Sequence, residues 1–194
     1  MLAIGKEEVV EDSRRQLLGA SLLVAVAFGI LATSVRTTKL ADEADGTAIP
    51  RAQAKPALDF ALKDVRTGET VQLIKQARET PVVFTFWATW CQPCRMEMPH
   101  LQALSEKYRG KVTFYGINSD DTPKVAAGFA DQAKYTFGML GDTKQTVHNL
   151  YGITSLPTLF VVDKEGKVRF ASNGYSEDVP KEIENTLKVL LAET

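Results

Sequence analysis

The chain has 194 residues, 44% hydrophobic and 24% charged, with a net charge of −1, enough for one domain of ordinary size and a further segment. With no basic excess to neutralise phosphates, the composition argues against nucleic-acid binding. Two cysteines, Cys91 and Cys94, are too few for a disulfide scaffold, so their C-x-x-C spacing leaves a redox site or a metal site.

Residues 1–15 are polar and end in Ser13-Arg14-Arg15. Gln16 to Val35 then run for 20 residues without a charge, and Arg36 closes the run. As a helix this stretch would span roughly 30 Å, the thickness of a bilayer core. It precedes a linker and lacks a polar face, which argues against a buried core helix. Two readings of residues 1–35 remain, a cleaved export signal and an uncleaved membrane anchor. Ser-Arg-Arg-Gln-Leu-Leu has the form of a twin-arginine signal, yet paired arginines flanking a membrane helix also follow from the positive-inside rule. No clean A-x-A cleavage site follows the apolar core, which favours the anchor. Either reading puts the remainder outside the cytoplasm, although Arg36 and Lys39 on the far side weaken the orientation signal.

Residues 36–56 lack periodicity and aromatics and read as a flexible linker. The folded domain is expected over residues 57–194. Leu58–Leu62 alternates, Val65–Glu69 is a turn, and Thr70–Leu73 is a second short strand, so an N-terminal hairpin is expected. Ile74–Glu79 has room for a turn of helix. Val82-Val83-Phe84-Thr85-Phe86-Trp87 is apolar on both faces, as a covered central strand would be.

From Pro93 to about Tyr108 the spacing is helical. Met96, Leu101, Leu104 and Tyr108 share a predicted face, and Pro99 should kink the helix. Lys111–Asn118 is a further buried strand. Asp121 or Thr122 caps the next helix, with Pro123 at its first position. A short strand over Thr136–Leu140 and a short helix over Lys144–Tyr151 lead to Leu156-Pro157. The strand Leu159–Asp163, the turn Lys164-Glu165-Gly166 and the strand Lys167–Ala171 follow. A helix over Val179–Ala192 closes the chain. This order predicts an α/β fold with a mixed sheet, parallel first and antiparallel at the end, and helices on both faces.

The junction at 87–92 puts Cys91 at a helix N-terminus, where free backbone N–H groups and the dipole favour a thiolate. A thiolate is the nucleophile of disulfide exchange. Cys94, one turn later, is placed to resolve the mixed disulfide that Cys91 forms. Pro93 limits the motion of the pair. Trp87 reads as core and Trp90 as exposed contact surface. Met96 and Met98 read as packing residues, and His100 and His148 as isolated surface or packing residues. Arg95 is either a source of positive field at the pair or a solvated side chain.

Trp-Ala-Thr-Trp-Cys-Gln-Pro-Cys-Arg-Met-Glu-Met-Pro resembles the active-site segment of the membrane-anchored thioredoxin-like oxidoreductases of the TlpA/ResA group, within the redoxin (AhpC/TSA-like) superfamily. Thr154-Ser155-Leu156-Pro157-Thr158 resembles that group's cis-proline loop. The resemblance covers residues 57–194, including a central insertion between Asn118 and Leu140. It implies a thioredoxin-like fold with Cys91 attacking, Cys94 resolving and Pro157 shaping the substrate groove. Trp90, Gln92, Pro93 and Leu156 would then contact substrate. Glu97 matches the group's glutamate just beyond the cysteines. Partly buried, it would exchange a proton with Cys94, the alternative being a solvated helix residue. Thr85 stands where ordinary thioredoxins carry a buried aspartate.

The implied activity is reduction of disulfides in exported proteins, such as apocytochrome c or copper-site assembly proteins. The site would face the extracytoplasmic side of a bacterial cytoplasmic membrane, and a membrane protein of the CcdA/DsbD kind would recharge it. No cofactor or metal is implied. Two alternatives stay open, a thiol oxidase or isomerase on the same fold and a Cu(I)-binding assembly module using the two thiolates.

Overall fold

The structure, a computed structural model, describes residues 40–193. The uncharged run 16–35 lies outside them, and among the described residues no helix is long and apolar enough to cross a membrane. Eight strands make one mixed sheet: β1 (Asp45–Ala48), β2 (Ala61–Asp64), β3 (Thr70–Gln72), β4 (Val82–Trp87), β5 (Thr113–Asn118), β6 (Gly138–Gly141), β7 (Thr158–Val162) and β8 (Val168–Asn173). Their spatial order is β1-β8-β7-β4-β5-β6-β2-β3. The helices are α1 (Leu73–Glu79), α2 (Gln92–Lys107), α3 (Pro123–Gln132), α4 (Thr146–Tyr151) and α5 (Val179–Ala192).

β4 lies between β5, parallel to it, and β7, antiparallel to it. Crossovers through α2 and α3 keep β4, β5 and β6 parallel, as a helix-length connection requires. The alternation of β4 explains its apolar composition on both faces. Val82, Phe84 and Phe86 pack into one core with Leu73, Tyr151 and Phe160, under α1 and α4. Val83 and Trp87 point the other way, into a second core with Met98, Leu101 and Leu187, under α2 and α5. Thr85 also lies on the second face and is fully buried.

The expected hairpin is present as β2 and β3, and it attaches to the central insertion rather than to the middle of the sheet. Its first strand starts later than the alternation indicates. The Asp59 carboxylate accepts from Gln72 Nε2 and from Ile74 N–H instead. At the turn, Asp64 Oδ1 accepts from Arg66 and Thr67 N–H while its Oδ2 accepts from Met139 N–H on β6. Arg66 donates to the carbonyls of Tyr135 and Phe137, so the turn grips the loop entering β6. The close approach there needs glycine, because a Cβ on Gly138 would sit 2.6 Å from Tyr115 Cδ1.

The linker expected over 36–56 is corrected over residues 40–56, residues 36–39 lying outside the described ones. From residue 40 the chain already lies in the folded body, with Ala41 buried. β1 pairs antiparallel with β8, Ile49 N–H donates to the Arg169 carbonyl at 2.7 Å, and Pro56 bridges Lys167. Asp45-Gly46-Thr47-Ala48 carries no strand signal of its own. Backbone bonds from the open edge of β8 hold it there, and periodicity does not report those.

Arg169 ties this edge to the rest of the body. Only 4% exposed, it donates from Nε to the Ile49 carbonyl at 3.1 Å and from Nη1 to Asp163 at 3.3 Å. Both Nη atoms also reach the Glu193 carboxylate, at 2.8 and 3.1 Å. Removing one partner of a buried ion pair leaves the other charge uncompensated. Arg169→Met is therefore expected to cost about 3 kcal/mol in urea unfolding, with an unchanged m value. A loss below about 1 kcal/mol would reduce the cluster to a surface ion pair.

Candidate active site

β4 ends at Trp87 and the chain turns through Ala88–Trp90 into α2. Cys91 is the N-cap of that helix. Its sulfur accepts from Cys94 N–H at 3.2 Å, taking the place of the oxygen that a serine or aspartate offers at this position. Cys91 and Cys94 form a disulfide, with Cα atoms 5.3 Å apart. Both sulfurs belong to buried residues, whereas Gln92 and Pro93 between them are exposed and Trp90 is 66% exposed.

Glu97 lies one turn beyond Cys94 on the inward face of α2 and is 1% exposed. Thr85 Oγ1 donates to its Oε2 at 2.7 Å, while Oε1 is buried without a hydrogen-bond partner. Burial pushes the carboxyl pKa up to about 7, and the Thr85 hydroxyl opposes this only in part. The alternation of β4 places Thr85 between Val83 and Trp87 on the face that α2 covers, so strand and helix bring the two polar groups together.

The turn before Cys91 is braced from the loop after β5. Asp121 accepts from Thr89 N–H at 2.9 Å, Thr89 Oγ1 at 2.8 Å and Asn118 Nδ2 at 2.8 Å. Burial raises the Asp121 pKa, but these bonds outweigh it and leave the group below its usual value. Asp120 accepts from the Trp90 indole N–H at 3.1 Å and from Gln145 Nε2 at 3.1 Å. The helix α3 is capped by Thr122, whose hydroxyl accepts from Val125 N–H, which leaves Asp121 for Thr89. The sequence marks Asp121 only as a possible cap and assigns no role to the Asp120 and Asn118 side chains. Their signal was the dense polar run Asn-Ser-Asp-Asp at a strand end, where short acceptors bind nearby backbone.

Leu156–Pro157 is a cis peptide. Thr158 pairs with Phe86 across β7 and β4, so Pro157 stands at the sheet end where β4 delivers the cysteines. Gly174 N–H donates to the Pro157 carbonyl at 2.7 Å. Pro157 is buried, Leu156 half-buried, and Thr154 and Ser155 exposed. Cys91, Cys94, Trp90, Gln92 and Pro93 thus share one end of the molecule with Leu156 and Pro157, with Glu97 beneath.

One expectation around α2 needs adjustment, that Met96 packs inward, and two neighbouring side chains gain partners. Met96 is 50% exposed, and Met98 takes the inward position with Leu101 and Leu104. Arg95 lies over the Phe129 ring at 5.4 Å, turned towards the insertion. His100 stacks on Tyr175 with centroids 6.1 Å apart.

Residues 54–171 match the AhpC/TSA family. The chain is 33% identical over 135 residues to the thiol-disulfide oxidoreductase ResA of Bacillus thuringiensis (strain Al Hakam), covering 69% of this chain and 76% of that protein. Among solved structures it is similar to a putative thiol:disulfide interchange protein DsbE from Chlorobium tepidum. That match has a TM-score of 0.65 and 30% identity, covering 71% of this chain and 96% of the other. It is also similar to an exposed lipoprotein thioredoxin of Streptococcus pneumoniae strain TIGR4, with a TM-score of 0.59, 25% identity and coverage of 69% and 100%.

The raised Glu97 pKa has a stability consequence with a definite sign. Between the unfolded value of 4.5 and the folded value of about 7, the native state holds a proton that the unfolded chain has released. Stability therefore falls as pH rises through that window. In the oxidised protein, the stability of Glu97→Gln relative to wild type should rise by about 3 kcal/mol between about pH 4 and about pH 9. A pH-independent difference in urea midpoints would show an ordinary carboxylate.

Proposed function

Because the chain belongs to the AhpC/TSA family and is a thiol–disulfide oxidoreductase of thioredoxin-like fold, we propose that it reduces disulfides in specific exported proteins. Candidate substrates are apocytochrome c and copper-site assembly proteins. The work takes place on the outer face of a bacterial cytoplasmic membrane. Residues 1–35 anchor the chain there, and a membrane electron donor of the CcdA/DsbD kind restores the dithiol. The observation that carries the reading is the stacking of three groups on α2. Cys91 sits at the helix cap with Cys94 N–H on its sulfur, and a buried acid lies one turn below.

In the reduced enzyme, the Cys94 N–H and the helix N-terminus stabilise the Cys91 thiolate. That thiolate attacks one sulfur of the substrate disulfide, forming a mixed disulfide and releasing the first substrate thiolate. Glu97, half ionised near neutral pH, takes the proton from the Cys94 thiol. The Cys94 thiolate then attacks Cys91 sulfur, which breaks the mixed disulfide and releases the second substrate thiolate. The substrate gains two electrons and the enzyme is left with the Cys91–Cys94 disulfide. Pro157 and Leu156 form the wall of the groove, and Trp90, Gln92 and Pro93 form its exposed lip.

Cys94→Ala should accumulate a mixed disulfide through Cys91 with a short set of exported proteins, identified by mass spectrometry after alkylation. Absence of any covalent partner, together with tight Cu(I) binding by the wild type, would replace this reading by the assembly-module one. Glu97→Gln should slow resolution by about 10- to 100-fold near pH 7 and remove the inflection near that pH from the rate profile. An unchanged profile would leave Glu97 without a role in proton transfer.

A further inference from the structure

Beyond the cis-proline loop lies a cleft of about 330 Å³ between β1, the end of β8 and the start of α5. It joins the proposed groove directly. Asn173 Oδ1 accepts from the hydroxyls of Ser155 and Thr158, and Gly174 N–H holds the Pro157 carbonyl. Both Asn173 and Gly174 line the cleft.

The lining carries negative charge from two elements. Asp178 and Glu182 lie at the start of α5 and Asp45 at the start of β1. No lysine or arginine lines the cleft among the described residues, and neither Asp178 nor Glu182 has an ion-pair partner there. Asp178 does not cap α5 with its side chain. A bare helix N-terminus would favour an anion, but three carboxylates reverse that preference. They do not gather into a metal-holding group, so the charge suits an extended organic cation.

A second observation, independent of the charge, points into the same space. Ser172 is 2% exposed, lines the cleft, and its Oγ has no hydrogen-bond partner. A buried hydroxyl left unpaired is destabilising, and a ligand group would relieve that cost. The β-bulge between Asp45 and Thr47 brings Gly46 over it, where a Cβ would lie 3.9 Å from Ser172 Cβ. Tyr175 and Val179 give the cleft an apolar wall, against which a methylene stem can lie while its charged end meets acceptors.

We propose that this cleft is a specificity subsite that takes a lysine or arginine side chain of the polypeptide whose disulfide lies in the groove. The subsite rests on the reading of the chain as a disulfide reductant. The cationic end meets Asp178, Glu182 and the Ser172 hydroxyl. The stem runs over Tyr175, and the substrate backbone passes the cis-proline wall.

The test uses the reduced wild-type protein and synthetic peptides with one internal disulfide. A single lysine is placed in turn at each position flanking the cysteines, and each peptide has a norleucine counterpart of equal stem length. At one or two adjacent positions, lysine should raise kcat/KM by about tenfold over norleucine, and the preference should weaken with added salt. Asp178→Asn/Glu182→Gln should bring the ratio of the two peptides close to one, and Ser172→Ala should lower it in part. Taking the ratio within each variant cancels any general loss of activity. A wild-type ratio near one at every position, or a ratio unchanged in the double variant, overturns the subsite. Hydroxyethyl disulfide serves as the control: its reduction together with a flat peptide ratio condemns the subsite alone. Failure to reduce any disulfide condemns the reductant reading and the subsite with it.

Discussion

A carboxyl group buried under a disulfide is costly to ionise, and the site is arranged around that cost. Glu97 has one hydrogen bond, from Thr85, and one oxygen with none. A stronger partner, such as an arginine, would pull its pKa down and fix it as a carboxylate. No partner at all would raise it further above neutrality. A single threonine hydroxyl leaves the group balanced between its two forms near pH 7, and a group so balanced can both take and return a proton. The balance depends on β4. Only a strand covered on both faces buries Thr85 deeply enough to present a dry hydroxyl to α2.

The rest of the sheet end holds this assembly in position. On one flank the cysteine turn donates hydrogen bonds to Asp120 and Asp121 in the loop after β5. On the other flank Pro157 stands by virtue of the β4–β7 register and the Gly174 bond. The insertion serves the braced flank, since its helix is capped by Thr122 beside Asp121 and its Phe129 ring lies 5.5 Å from Trp87. The hairpin β2–β3 in turn holds the insertion through Asp64 and Arg66. These additions to the central βαβ unit act at a distance, as supports for the turn that carries the nucleophile.

Much of this was legible in the chain itself. Strands with strong β-branched and aromatic content, β4, β5 and β7, announce themselves, and so does the helix after Cys91, because burial on both faces or on one face leaves a period. What stayed hidden was held by backbone or by short polar contacts. β1 has no apolar pattern and exists because β8 offers an unpaired edge. Met98 stands three residues before Leu101 and shares its face, whereas Met96 stands five before it and falls on the exposed side. The brace at Asp120 and Asp121 depends on which of several adjacent acceptors faces a loop 30 residues away in sequence, which no local rule fixes. The cysteines were legible from their spacing, Glu97 and Pro157 by resemblance, and the unpaired hydroxyl of Ser172 was not legible at all.

The tryptophans at the two ends of the turn before Cys91 give the molecule an optical character. The chain has two, and they occupy opposite surroundings. Trp87 is buried beside Phe129 with its N–H unpaired, while Trp90 is open to water and held at its indole N–H by Asp120. Trp90 adjoins Cys91 in the chain. All of the intrinsic tryptophan emission therefore comes from the few residues around the redox pair, as the sum of a blue-shifted and a red-shifted band. The tryptophan signal of the unlabelled protein thus reports on the one turn that carries the redox pair.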